Sequence, residues 1–266
     1  MPDRSIALLL PILLLAPFLA GCGAARRAVD TREPLGDGDE RMLGARLSTL
    51  VQADRRSADD PTVIGYVRTL GDRMARLSDR PGIPYTFQVF ADSAPQAFAL
   101  PGGYVYLSTG LLSRLTSRAE LAGVLGHEIA HIAVRDGMGE IINAISRDGV
   151  ERILLSPRDG APSEETKRAL DAVLRGYPRD AERAADISAS LLATRVGLNA
   201  EGLVRAMEKV GGSTGSAGMF WEGSPGKADP IARRVSDDRA EQKRMGLDAG
   251  LPFDSESYAP IRSRIR

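Results

Sequence analysis

Apolar residues recur every three or four positions in two stretches near the start of the chain, residues 42–50 and 63–77. This spacing predicts two amphipathic helices. Between them stand Asp60 and Pro61, which suit the start of the second helix because proline is well tolerated in a first helical turn. Residues 85–91, YTFQVFA, instead alternate and carry aromatic and β-branched side chains, which predicts a β-strand.

Two short apolar runs, residues 97–100 and 104–107, flank a Pro-Gly-Gly sequence, and this pattern predicts a β-hairpin. The first run has two interpretations that the pattern leaves open. It is either one strand of a plain structural hairpin or an edge strand that holds an extended peptide by backbone hydrogen bonds. Its residues are Ala97, Phe98, Ala99 and Leu100.

The strongest helix pattern covers residues 117–135, where Ser117 and Glu120 form a capping-box sequence ahead of a wide apolar surface. Asp136 and Gly137 are expected to end this helix. Beyond it, the sequence predicts two short helices within 137–163 and a helix from Ser163 to about Leu174. A further helix is predicted from Ala181 to about Val196, capped by Asp180, and another from Asn199 to Val210. A glycine-rich stretch over 211–228 and a charged helix at about 230–246 follow.

Composition places the chain among soluble globular proteins, with 43% hydrophobic and 26% charged residues. Lys and Arg total 35, as do Asp and Glu, so no basic excess favours a nucleic-acid partner. We expect one folded domain over residues 39–246, followed by a tail over residues 247–266 that shows no clear periodicity.

The first 22 residues differ from the rest. A short polar start leads into an apolar run from Ile6 to Ala20, which is short for a transmembrane helix and typical of a signal peptide. The run ends in Leu-Ala-Gly-Cys, which resembles the bacterial lipobox, and Cys22 is the only cysteine in the chain. The alternatives are an ordinary signal peptide with a chance cysteine, or an uncleaved anchor.

On the lipobox interpretation, residues 1–21 are a lipoprotein signal peptide and residues 22–38 form a flexible tether. Cys22 would carry a lipid that tethers the protein to a membrane without spanning it. We therefore expect the protein on the periplasmic side of the cell envelope. Gly23, not aspartate, follows the cysteine, and the resemblance to Gram-negative lipoproteins then implies the outer membrane.

The two histidines of the chain lie four residues apart, at His127 and His131, with Glu128 between them. On a helix this HExxH spacing stacks both imidazoles on one face, which suits two ligands of one zinc ion. Glu128 lies beside them and can act as a general base without binding the metal. Small residues in the same helix, Gly123, Gly126 and Ala130, leave room around the motif.

A catalytic zinc requires a third protein ligand. Because the chain has no further histidine and its single cysteine is expected to carry the lipid, that ligand must be a carboxylate. Glu182 and Asp186 lie one turn apart on a predicted helix. We expect Glu182 to bind the metal and Asp186 to accept the second N–H of a ligand histidine.

The sequences AELAGVLGHEIAHIAVR and YPRDAERAAD resemble the M48 family of zinc peptidases, which includes HtpX, CAAX prenyl and BepA-like proteases. Its HExxH and downstream ExxxD motifs match His127, Glu128, His131, Glu182 and Asp186. The resemblance implies an α+β, mostly helical zincin (gluzincin-like) domain, with a small β-sheet beside the active-site helix whose edge receives peptide.

This chain departs from the family pattern at a few positions. Asp136 stands where the family often has a histidine, and Asp229 precedes Pro230 where a His-Pro pair is typical. Both histidines of this chain are already assigned as ligands. Any side chain that stabilises the transition state must therefore be of another type, and Tyr177 and Arg234 are the candidates.

These observations predict a zinc endopeptidase of the bacterial cell envelope that cleaves unfolded or misassembled envelope proteins with one zinc ion per chain. The alternative is a chaperone-like or binding lipoprotein that holds such proteins with little or no turnover. The general base Glu128 favours the peptidase, because a purely structural metal site requires no base.

Overall fold

The computed structural model describes residues 35–157, 161–211, 231–247 and 250–265. The predictions for the signal peptide, Cys22 and most of the glycine-rich stretch lie outside these residues. The described chain forms ten helices and three strands: α1 (Asp37–Asp54), α2 (Pro61–Ala75), β1 (Thr86–Phe90), β2 (Ala97–Leu100), β3 (Tyr104–Ser108), α3 (Thr109–Arg114), α4 (Arg118–Val134), α5 (Asp136–Leu155), α6 (Glu164–Leu174), α7 (Arg179–Arg195), α8 (Gly202–Gly211), α9 (Ile231–Arg244) and α10 (Ser255–Arg264).

The three strands form one sheet in the order β1-β3-β2. The predicted hairpin is confirmed, since β2 pairs antiparallel with β3, and the predicted strand β1 pairs parallel with β3. The turn between β2 and β3 requires glycine at Gly103, whose φ is 104° and where a Cβ would lie 2.2 Å from the Pro84 carbonyl oxygen. Because the order is β1-β3-β2, the strand β2 is an edge of the described sheet, and it lies beside α4 and α6.

Several helices begin where the sequence predicted. The Asp60 carboxylate accepts the N–H groups of Thr62 and Val63 at the start of α2, and the hydroxyl of Ser163 accepts that of Thr166 at the start of α6. In the same way, the Ser117 hydroxyl accepts the N–H of Glu120 in α4. The two short helices predicted within 137–163 are joined as α5, with a non-helical kink at Ser146.

Two predictions of helix starts were wrong, and one helix was not predicted. Helix α7 begins at Arg179, so Asp180 lies in its first turn and does not cap it. Helix α8 begins at Gly202, because the side chain of Asn199 binds the Glu201 N–H and the Leu251 carbonyl instead of capping a helix. Helix α10 was not predicted, because its apolar residues are few and it contains a proline.

The core has two parts, and the strands of the sheet contribute alternate residues to each. The larger part surrounds α4, whose apolar residues pack against α2, α7 and α8, and α10 joins it through Tyr258. The smaller part lies between α1, α5, α6 and the strands, with Phe98 stacked on Tyr106. The predicted class, a mostly helical α+β zincin domain with a small sheet, is confirmed. Among the described helices, none combines the length and apolar character needed to cross a bilayer.

Candidate metal centre

Helix α4 places His127 and His131 one turn apart with their rings nearly perpendicular. Their Nε2 atoms are 3.0 Å from each other. Helix α7 brings Glu182 to the same point, with Oε2 at 3.4 Å from His127 Nε2 and Oε1 at 3.8 Å from His131 Nε2. One ligand atom from each of the three residues lies within 4.8 Å of the other two, and all three side chains are buried.

The close approach of α7 to α4 depends on glycine. A Cβ on Gly126 would lie 3.0 Å from the Cα of Ala189 in α7, and a Cβ on Gly123 would lie 2.3 Å from the backbone nitrogen of Leu203 in α8. The small residues of α4 therefore serve the packing of the neighbouring helices. The approach at Gly126 sets the distance at which α7 presents Glu182 to the histidines.

Each histidine is also held by a carboxylate on its second ring nitrogen. His127 Nδ1 lies 2.8 Å from Asp186 Oδ1, as predicted from the ExxxD spacing. His131 Nδ1 lies 2.8 Å from Asp136 Oδ2, which the sequence analysis did not predict. A carboxylate that accepts the Nδ1–H group leaves the Nε2 lone pair directed at the site where the ligand atoms meet.

The signal that could have identified Asp136 is its position directly after the HExxH helix. A helix that ends on a left-handed residue reverses its direction there, and the next side chain can return towards the last turn. Arg135 is such a residue, with a φ of 64°. Because Arg135 is not glycine, nothing in its identity indicated this conformation.

Arg234, from α9, binds the carboxylates behind the histidines. Its Nε and Nη2 atoms donate to both oxygens of Asp186 at 3.0 and 2.7 Å, and its Nη1 lies 3.0 Å from Glu182 Oε2. Burial would lower the pKa of Arg234, but Asp186 and Glu182 raise it. The structure thus brings Arg234 to the site as a partner of the two carboxylates, and its role as a transition-state donor stays a prediction.

The electrostatics of the cluster favour a cation between the histidines. Burial opposes charge on His127, yet Asp186 and Glu182 raise its pKa to about 10. Burial and the charge of His127 lower the pKa of His131. The carboxylates thus hold one positive charge where the two Nε2 atoms face each other, and a bound metal ion would displace that proton.

The donor set fits zinc. Two imidazole nitrogens and one carboxylate oxygen form a ligand set known for catalytic zinc sites. Two bonds of about 2.0–2.1 Å at a tetrahedral angle separate their donor atoms by about 3.3 Å. The observed Nε2 separation of 3.0 Å is close to that value. A divalent metal of the zinc type is therefore compatible with His127, His131 and Glu182 as they stand.

Glu128 lies beside this cluster and is 2% exposed. Burial raises its pKa to about 8, against the attraction of His127. It lines a cavity of about 10 Å³, which is roughly the space of one water molecule. The same cavity is lined by three residues of β2, namely Ala97, Phe98 and Ala99.

Tyr177 lines the same cavity. Its ring stacks on His131 with the ring centres 4.0 Å apart and an angle of 29° between the planes. The preceding residue, Gly176, has a φ of 78° and turns the chain from α6 towards α7. Burial raises the pKa of the Tyr177 hydroxyl well above its usual value. Tyr177 thus packs directly against one of the two histidines of the cluster.

Comparisons with known proteins agree with the site. The family model for Peptidase family M48 matches residues 61–229. Metalloprotease YcaL of Escherichia coli (strain K12) is 26% identical over 256 residues, which covers 88% of this chain and 98% of that protein.

Two further relatives match a shorter part. A putative beta-barrel assembly-enhancing protease of Vibrio cholerae serotype O1 is 34% identical over 96 residues, or 36% of this chain and 20% of that protein. The Escherichia coli (strain K12) beta-barrel assembly-enhancing protease is 28% identical over 101 residues, or 38% and 21%. The chain thus matches about a fifth of the length of these two relatives. With the family model spanning most of the chain, the predicted resemblance and the metallopeptidase class are confirmed, and the chain belongs to peptidase family M48.

Proposed function

We propose that the chain is a zinc-dependent endopeptidase of the bacterial cell envelope. The observation that carries the proposal is the buried cluster in which His127, His131 and Glu182 converge while Glu128 lines the adjoining cavity. The two histidines and Glu182 would hold the zinc ion. When bound, zinc would lower the pKa of a water molecule, polarise the peptide carbonyl and favour the ionised form of Glu128.

Glu128 would act as the general base and then as the general acid. Its carboxylate takes a proton from the attacking water and returns it to the amine nitrogen of the leaving segment, so that the peptide bond breaks with no net change in the protein. Its burial suits this task, because the raised pKa makes the carboxylate a stronger base near neutral pH. Of the two candidate donors to the developing oxyanion, Tyr177 lines the cavity beside Glu128 and Arg234 does not, so we propose Tyr177 for this role.

The strand β2 would bind the substrate. It is an edge of the described sheet, and its residues Ala97 to Ala99 line the cavity that holds Glu128. An extended peptide that adds to this edge is held through its backbone, which places little demand on side-chain sequence. The cavity of about 10 Å³ is too small for a peptide, so we propose that the segment that carries Tyr177, between α6 and α7, moves when a substrate binds. Such a site favours unfolded polypeptides, which offer extended backbone.

The cellular setting is proposed on the N-terminal sequence and the relatives together. A lipid on Cys22 would anchor the chain on the periplasmic side of the outer membrane, where unfolded or misassembled envelope proteins would be its substrates. The names of the relatives, which refer to β-barrel assembly and proteolysis, support this setting. Labelling with a fatty-acid precursor tests it, since wild type should incorporate the label and Cys22→Ser should not.

The activity is tested with the full chain purified in mild detergent. Wild type, Glu128→Gln and Glu151→Gln are compared for zinc content and for cleavage of casein, the last variant being a control on the surface of α5. We expect one zinc per chain in all three, and cleavage by wild type and Glu151→Gln alone. Stoichiometric zinc with equal, negligible cleavage by all three would contradict the peptidase and favour the chaperone-like alternative. Absence of zinc would contradict both.

A further inference from the structure

The junction between α4 and α5 consists of one residue. Helix α4 ends at Val134, Arg135 adopts the left-handed conformation, and α5 begins at Asp136. The Arg135 N–H group bonds back to the carbonyl oxygens of His131 and Ile132, so the reversal of direction is tight. As a result, the first side chain of α5 lies against the last turn of α4.

The side chain of Arg135 is held in place from α1. Its Nε atom lies 2.8 Å from Glu40 Oε2, and its Nη2 atom donates to the Leu35 carbonyl oxygen at 2.6 Å. Glu40 is buried and also binds Arg80, which donates to the Ile132 carbonyl oxygen at 3.1 Å. These contacts stabilise a left-handed conformation that is unfavourable for a residue with a side chain.

We propose that Asp136 is a positioning residue of the metal centre. Its carboxylate accepts the Nδ1–H of His131 at 2.8 Å and so fixes the tautomer and the ring angle that direct Nε2 towards Glu182. The inference rests on the proposed zinc site and assigns to His131 a partner equivalent to the one that Asp186 gives to His127. Asp136 does not touch the reacting atoms and acts through the histidine.

The two carboxylates differ in their surroundings. The Asp186 side chain is 1% exposed and is bound by Nε and Nη2 of Arg234, whereas the Asp136 side chain is 22% exposed. Loss of Asp136 therefore leaves no buried arginine without a partner, and its removal tests the effect on the metal with little cost to the fold. Loss of Asp186 would disturb the metal site and the fold at the same time.

The test uses the full chain, with Asp136→Asn and Asp136→Ala compared with wild type and with Asp171→Asn, which removes an exposed carboxylate on α6. The zinc dissociation constant is measured by competition with a chromophoric chelator. Loss of such an outer partner typically costs about 10–100-fold in metal affinity. We expect a loss of zinc affinity near the lower end of this range for Asp136→Asn, because its amide oxygen can still accept the hydrogen bond. The loss should be near the upper end for Asp136→Ala, and the affinity of Asp171→Asn should equal that of wild type.

A second readout separates positioning from a general loss of structure. The visible spectrum of the Co²⁺-loaded protein reports the ligand geometry directly, and we expect it to change in both Asp136 variants while the circular dichroism stays that of wild type. A zinc dissociation constant within twofold of wild type in a folded Asp136→Ala, with an unchanged Co²⁺ spectrum, would overturn the inference. If Asp136→Ala does not fold, the same criterion applies to Asp136→Asn. If wild type itself binds no zinc, the proposed function fails first.

Discussion

Glu40 is a buried carboxylate that lies far along the chain from the residues of the metal centre, and its replacement should weaken the fold substantially. Its Oε1 atom accepts the Gly102 N–H at 2.9 Å and an Arg80 N–H at 3.1 Å. Its Oε2 atom accepts a second Arg80 N–H at 2.8 Å and lies 2.8 Å from Arg135 Nε. One carboxylate therefore joins the turn of the β2–β3 hairpin to the end of the active-site helix.

The change Glu40→Gln keeps the size of the side chain but removes its charge and places an N–H₂ group against an arginine. Breaking a buried ion pair from one side costs about 3–5 kcal/mol because the remaining charge is left unpaired. Water reaches the arginines, since the side chain of Arg80 is 15% exposed and that of Arg135 is 34% exposed. We therefore expect the lower end, about 3 kcal/mol, which for a domain of this size lowers Tm by about 6–12 °C.

The free energy of unfolding is measured by urea denaturation followed by circular dichroism, with thermal unfolding as a second measurement. The matched control is Glu208→Gln, which breaks a 2.8 Å pair with Arg239 in which both side chains are 44% exposed. An exposed pair contributes about 0–1 kcal/mol, so this control should resemble wild type. A loss below about 1 kcal/mol for Glu40→Gln would refute the reasoning that burial makes this pair costly to break.

Three further predictions concern the site and its supports. Tyr177→Phe should leave the zinc dissociation constant unchanged and lower kcat by about 100-fold if the hydroxyl stabilises the oxyanion, and an unchanged kcat would remove Tyr177 from that role. Asp238 is buried with one carboxylate oxygen that has no hydrogen-bond partner among the described residues, and burial raises its pKa to about 8. Its folded-state pKa lies above the unfolded value, so this group lowers the free energy of unfolding as pH rises from about 4 to about 8. The free energy of unfolding of Asp238→Asn in urea, relative to that of wild type, should therefore increase from pH 5 to pH 8. A constant difference would contradict this. Gly123→Ala should destabilise by about 1–3 kcal/mol, because its Cβ would lie 2.3 Å from the Leu203 backbone nitrogen, whereas helix propensity alone predicts a gain.

Local sequence patterns predicted most of the elements that carry the site. Helix α4 and its cap, the β2–β3 hairpin and the start of α6 follow from periodicity and capping residues, because these features depend on residues close together in the chain. The convergence of Glu182 on the histidines was predicted in two steps. The lack of a further histidine required a carboxylate as the third ligand, and the one-turn spacing of Glu182 and Asp186, with the family's ExxxD motif, then indicated which one.

The features that were missed depend on contacts between distant segments. The parallel pairing of β1 with β3 and the docking of α10 through Tyr258 are set by tertiary packing, which a short apolar pattern cannot reveal. The left-handed Arg135 is stabilised by Glu40 from another helix, so the position of Asp136 after the HExxH helix was the only local sign of its approach to His131. The stacking of Tyr177 on His131 likewise depends on how distant segments pack together.

The central claim is that one zinc ion on this cluster, together with Glu128, hydrolyses peptide bonds. The most direct test removes the metal from the full chain with a chelator and restores it stepwise while cleavage of a fluorogenic unfolded polypeptide is followed. We predict that cleavage by wild type rises linearly and reaches its limit at one zinc per chain, and that Glu128→Gln binds the same single equivalent without cleavage. Cleavage by the metal-free chain, or equal cleavage by wild type and Glu128→Gln at full zinc occupancy, would contradict the account.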